Sequence, residues 1–310
     1  MTPPPVPSKS ALLGALLHFA VASVGMMLGN KLAVTALPLP CTVIIIQALG
    51  TIALLGLFRS NLEGIRIDIA KQWLPIAALF TLMIFTSLQS FVYVNVSTVL
   101  IFRNVGAIFT SIVEYFVRGE KVTAEIVASE IMIVLGAVMY GWGTANFSWT
   151  GFWWIMANIA AQVAYGVLVK HHMDKKPHFK EMSKFTMSLY NNTLAIPMLV
   201  IVLVVQGEQH HIQSALVQVS PLGWFWIVLT CGLGFMISTS GFGLQKLVSA
   251  TTFLVVSNIT KFLNILLGIV FLQDNISAGK DGLGCLVAIL AGVWYSSAQT
   301  RIAQQGKKNK

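Results

Sequence analysis

Three cations stand in stretches otherwise fit for lipid: Lys31 after Asn30, Arg103 before Asn104, and Lys261 inside "ATTFLVVSNITKFLNILLGIVFLQD" (250–274). A charged side chain at the bilayer centre costs on the order of 2.5–3.5 kcal/mol even on lenient scales, so an ionisable residue there defaults to a functional reading. Lys261 lies too deep to snorkel easily. No Asp or Glu is placed at its depth, because Glu114 and Glu130 fall nearer the ends of their spans. Its charge therefore calls for helix carbonyls or for an anion from outside the chain. Lys31 and Arg103 lie nearer the far ends of their helices, where they either snorkel to the interface or join Lys261 around an electropositive cavity. Phosphate suits such a cavity, since a lysine point charge and a forked guanidinium both bind it well.

A second polar group lies in "SLYNNTLAIP" (188–197), which sets Tyr190, Asn191 and Asn192 early in an apolar span. Adjacent buried carboxamides need partners. One reading is hydrogen bonding between membrane helices. The other is recognition of a nucleobase, whose edge a carboxamide can pair with and whose face a tyrosine ring can stack on.

These residues must be positioned by membrane helices. The 310 residues are 56% hydrophobic and only 10% charged, against roughly 25% charged in soluble domains. Spans of about 20 residues are expected near Leu12–Leu37, Thr42–Phe58, Trp73–Tyr93, Thr98–Val117, Ala124–Tyr140, Trp149–Val169, Phe185–Val205, Leu222–Ser240, Thr251–Leu272 and Gly282–Tyr295. The fold class is all-α integral membrane, with ten transmembrane helices in one domain over 11–298. A disordered tail is expected over 1–10 and a basic tail over 299–310, with no transit-type leader ahead of the first span.

The net charge of +9 is a matter of location, not of nucleic acid. With the N-terminus cytosolic, sixteen of the 20 Lys and Arg residues fall in cytosolic loops and tails and only Lys280 falls opposite. By the positive-inside rule both termini are cytosolic.

Placing Thr98–Tyr140 beside Thr251–Tyr295 aligns Asn104 with Asn258, Glu120 with Asp274 and "LGAVMY" (135–140) with "LAGVWY" (290–295). Two five-helix halves, about 11–145 and 146–298, are implied. An odd number of spans per half inverts the second copy, the plan of secondary transporters with a midplane site. Gly284, Ala288 and Gly292 form a small-residue face that serves packing within the chain or a homodimer contact. Cys41, Cys231 and Cys285 lack metal or disulfide spacing, and His18, the loop histidines and the Asn146 sequon carry little. No cofactor or metal is called for.

The quoted residues resemble those of Golgi nucleotide-sugar transporters of the drug/metabolite transporter superfamily, the GDP-mannose transporters in particular. "LYNN" (189–192) keeps three residues of that family's FYNN motif, and "TTFLVVSNITK" (251–261) stands in the place of its TTY…GALNK stretch. "GNK" (29–31), "IFRN" (101–104) and Ser238 within "FMIST" are similar to its first, fourth and eighth helices. The resemblance implies that Tyr190, Asn191 and Asn192 bind guanine and that Lys261 binds phosphate. Ser257, Asn258 and Thr260 replace the Gly, Ala and Asn of GALNK, and Phe253 replaces the aromatic tyrosine, so the sugar-facing part of the pocket is altered. The implied activity is exchange of a GDP-sugar, GDP-mannose first and GDP-fucose still open, for GMP across the Golgi membrane. A plastid sugar-phosphate translocator is the rival within the superfamily. A membrane-embedded glycosyltransferase or phosphotransferase would need acids at depth, so an enzyme is not expected.

Overall fold

The computed structural model describes residues 9–118, 123–143, 147–247, 250–272 and 279–308, and its long elements are all α-helices. Away from water only a helix or a closed barrel pairs every backbone polar group. In order they are α1 (Lys9–Ala36), α2 (Pro40–Leu55), α3 (Ile67–Tyr93), α4 (Val96–Arg103), α5 (Gly106–Arg118), α6 (Ala124–Gly143) and α7 (Trp149–Lys175). Then follow α8 (Pro177–Glu181), α9 (Lys184–Gln206), α10 (Ile212–Gln218), α11 (Pro221–Leu247), α12 (Ala250–Phe271) and α13 (Lys280–Lys308). Among the described residues nine stretches are long and apolar enough to cross a membrane, with α4 and α5 together supplying Val96–Val113. The described part of α12 adds a shorter apolar run, Thr260–Phe271. Four edges differ from expectation by six residues or more. Helix α3 begins at Ile67, six residues before Trp73, α7 runs six past Val169 to Lys175, α11 seven past Ser240 to Leu247, and α13 well past Tyr295 to Lys308.

Local chemistry sets the helix ends. Asn95, Ser148 and Ser183 each accept a hydrogen bond from the backbone N–H three residues on, at 2.9, 3.1 and 3.0 Å, and so cap α4, α7 and α9. Pro40 opens α2, where a missing N–H costs nothing. Gly207 stops α9 in the left-handed conformation, φ 74°. Between α4 and α5 the ladder tightens: Asn104 N–H donates to Ile101 O at 3.2 Å, Val105 N–H to Phe102 O at 3.0 Å, and Ala107 N–H to Asn104 O at 3.0 Å. Such three-residue bonds inside a span interrupt the regular α-helical ladder and often mark a hinge.

Small residues decide which helices meet closely. A Cβ at Gly136 would lie 2.5 Å from the backbone nitrogen of Ala288, and one at Gly284 would strike the backbone of Tyr140, so α6 and α13 touch backbone to backbone. The Gly284 and Ala288 face is thus filled by the same chain. Gly25 and Gly29 let α1 close on Leu233 and Thr230 of α11. Helix α3 packs on α7 and α9, α2 on α9 and α11, and α12 on α13, α1 and α4.

The two ends of the bundle are tied differently. At the end where α1 begins, called the near face below, Ser183 donates to Asn61 O at 2.7 Å and Thr186 accepts from Glu63 N–H at 3.0 Å. At the opposite end, the buried Glu208 carboxylate accepts from Cys41 N–H, Thr42 N–H and the Thr42 hydroxyl, each at 2.9 Å. It caps α2 from a loop 166 residues further along the chain.

Candidate functional site

The tightened turn after α4 presents Arg103 and Asn104 side by side, and α12 brings Lys261 to them. Lys261 Nζ stands 3.4 Å from Asn104 Oδ1, past the usual range for a strong N–H···O bond. The Arg103 guanidinium is held more firmly: Nε donates to Asn158 Oδ1 at 2.8 Å and a terminal nitrogen to Ser87 Oγ at 2.7 Å. Asn158 is itself fixed, since its Nδ2 donates to Met83 O at 2.6 Å. Helices α3 and α7 therefore orient the fork, while its remaining nitrogen has only the Met27 sulfur at 3.9 Å. Among the described residues neither Lys261 nor Arg103 pairs with a carboxylate, and the two cations are close enough to repel each other. Both side chains are half-buried within apolar helices. Two like charges with no carboxylate partner among the described residues are an arrangement that an external anion would neutralise. Glu130 is turned elsewhere, lining a crevice with Ile108, Val127 and Ile131.

The other expected residues divide. Lys31 donates to Phe91 O at 2.7 Å and Val94 O at 2.9 Å, so its charge sits on the carbonyl end of α3, where the helix dipole favours a cation. Asn30 is buried and accepts from Gln47 Nε2 at 3.0 Å, and Gln47 donates also to Thr230 at 2.9 Å. Thr260 is buried and donates to Ser257 O at 2.8 Å. Ser257 and Ser238 are half-buried on α12 and α11. The side chains of Phe253 and Asn258 lie outside the described residues.

Tyr190, Asn191 and Asn192 form a separate network nearer the near face. The Tyr190 hydroxyl accepts from Arg66 N–H at 2.8 Å. Asn191 accepts from the Trp73 indole at 2.8 Å and donates to the Tyr165 hydroxyl at 2.9 Å. Asn192 donates back to Ser188 O at 2.8 Å. In this conformation the trio bonds the protein, and Asn191 uses both ends of its carboxamide to do so. Asn158 and Ser87 were not singled out from the sequence. Asn158 carried the same signal as Asn191, a carboxamide in an apolar span; Ser87 carried none.

A bundle of long apolar helices with cations in its interior suits a membrane carrier, and the family match agrees: residues 11–296 correspond to the Triose-phosphate Transporter family. The chain belongs to that family. This transporter is a multi-pass membrane protein and not an enzyme. It is 27% identical to GDP-fucose transporter 1 of Arabidopsis thaliana over 91% of the chain and 84% of that relative. It is 25% identical to the GDP-mannose transporter GONST1 of the same plant over 96% of the chain and 92% of that relative. One crystal structure, at 14% identity and TM-score 0.60, covers 95% of this chain and 99% of its own and so supports the fold alone.

Proposed function

We propose that this transporter is a nucleotide-sugar antiporter that brings a GDP-sugar, GDP-mannose first, into the Golgi lumen in exchange for GMP. The observation that carries this reading is the pair of cations, Lys261 and Arg103, inside the bundle with no carboxylate partner among the described residues. An empty carrier with two facing charges resists switching sides, and a bound phosphate relieves that repulsion in either direction. Loaded carriers then turn over faster than empty ones, which is exchange. The names of the relatives supply the GDP-sugar. We place both termini in the cytosol on the loop charges, so the near face is cytosolic.

Ten spans in two inverted five-helix halves complete the proposal. Its support is the packing, in which the main helix contacts recur when the halves are exchanged. Helix α1 packs on α11 as α7 packs on α3; α2 packs on α11 as α9 packs on α3; α1 meets α12 as α7 meets α4; α2·α9 and α6·α13 map onto themselves. A binding site between inverted halves falls at the midplane, where Lys261 and Asn104 meet.

A second reading, exchange of a sugar phosphate for phosphate, draws support from Asn191, whose carboxamide is engaged within the protein by Trp73 and Tyr165. Proteoliposomes preloaded with GMP, UMP, CMP or inorganic phosphate separate the two. Uptake of labelled GDP-mannose only into GMP-loaded vesicles is expected. Equal uptake from every preload, or uptake of triose phosphate against phosphate, overturns the GDP-sugar reading.

A further inference from the structure

Away from the cation pair, the near face carries a second basic place, a cavity of about 280 Å³ between the start of α3, the end of α7 and α8. Arg66 lines it but is neutralised by Asp68, 2.8 Å away. Lys175 and Lys176 remain, with His178 beside them. Lys176 is pre-positioned: Nζ donates to Gln72 Oε1 at 2.9 Å and stands 5.4 Å above the Phe179 ring. Lys175 is exposed and makes no hydrogen bond or ion pair with the described residues.

Exposed apolar residues alternate in sequence with the lining ones where the α3 span begins: Ile65 and Ile67, 49% and 74% exposed, stand on either side of Arg66, and Leu74, 46% exposed, stands two residues past Gln72. A free phosphate would make no use of the isoleucines. The shared chemistry is a phosphoryl group, and the combination of basic cavity, apolar flank and membrane edge fits one attached to a lipid.

We propose that this cavity binds the phosphorylated headgroup of an anionic membrane lipid, with Lys175 and Lys176 on the phosphoryl oxygens and the acyl chains along Ile67 and Leu74. The cavity floor is continuous with the Tyr190 and Asn191 network. Phe179 packs 5.3 Å from Trp73 between ring centroids, and the Trp73 indole donates to Asn191. Arg66, at the cavity rim, bonds Tyr190 through its backbone. A lipid that steadies α3 against α8 therefore steadies Tyr190 and Asn191. This site is independent of which substrate the carrier moves.

The test uses the full chain in neutral detergent with three probes: dioctanoyl phosphatidylinositol 4-phosphate, dioctanoyl phosphatidylcholine and free inositol 1,4-bisphosphate. The first is expected to bind and to raise the melting temperature, the other two to bind at least tenfold more weakly. Each lysine near an anionic headgroup contributes about fivefold, so Lys175→Gln with Lys176→Gln weakens binding about 25-fold. Lys175→Gln alone, which removes no contact within the protein, weakens it about fivefold. The charge-matched control Arg59→Gln with Lys71→Gln stays within twofold of the parent. Equal binding by the double variant and the parent overturns the site. Inositol bisphosphate binding as tightly as the lipid overturns the lipid assignment, and equal binding of phosphatidylcholine overturns its basis in charge.

Discussion

Lys261→Met separates binding from folding, because methionine keeps the length of the side chain and removes only its charge. In the empty protein that charge has a single long hydrogen bond, 3.4 Å to Asn104 Oδ1, and a repelling neighbour in Arg103. Against that weak return stands a burial cost on the order of 2.5–3.5 kcal/mol. The empty variant is therefore expected to be as stable as the parent, or more stable by about 1–3 kcal/mol. Binding responds the other way. A charge-assisted bond to phosphate contributes about 1.5–3 kcal/mol, so affinity falls about 10- to 150-fold. Ligand at a hundredfold excess over the parent's Kd stabilises the parent by about 2.7 kcal/mol; with thirtyfold weaker binding the same concentration gives only about 0.9 kcal/mol. Thermal unfolding in detergent with and without GMP reads both quantities, and vesicle uptake of GDP-mannose reads the consequence. A variant that loses several kcal/mol when empty, or keeps the full GMP shift, would refute the anion role.

Three further outcomes follow from the geometry. Asn191→Ala strands the Trp73 indole N–H and the Tyr165 hydroxyl, at about 1–3 kcal/mol each; denaturation should show a loss of about 2–5 kcal/mol, and unchanged stability with lost discrimination of GMP from UMP would make this residue a base reader instead. Lys31→Met uncovers the carbonyls of Phe91 and Val94, so it lowers stability by about 1–3 kcal/mol and leaves GMP affinity within about twofold; a tenfold affinity loss at unchanged stability would return Lys31 to the binding site. Gly284→Ala forces a methyl into the backbone of Tyr140 and costs about 1–3 kcal/mol, while Gly232→Ala, with nothing within 4 Å, is neutral or slightly stabilising by calorimetry.

The spans were legible because lipid leaves the backbone one economical solution, and their ends came within a few turns wherever a cap such as Asn95 or Ser183 stood in the sequence. Lys261 was legible for the complementary reason, a charge where charge is expensive. Its approach to Asn104 was not, since a contact across 157 residues depends on how α12 and α4 are set together. The same limit applied to Lys31, whose two partners are backbone carbonyls that any sequence would supply. Polarity in "LYNN" was visible, but Trp73, Tyr165 and the Arg66 backbone, which take up that polarity, come from three other segments. Glu208 escaped notice altogether: a lone acid after a glycine turn looks like ordinary loop surface until α2 is laid over it.

The contact between α6 and α13 has a mechanical sense. Helices joined through long side chains can creep past each other as those side chains change rotamer, but backbone against backbone has no rotamers to change. Gly136 and Gly284 put this pair in the second condition, and packed interfaces of that kind switch as units instead of deforming gradually. A pair locked in this way would serve as an axle. Helix α12, which packs against α13, α1 and α4, would then be the lever beside it, with Lys261 near the middle of that lever. A rocking of a few degrees about the axle would carry the lysine toward one face or the other without asking any helix to slide.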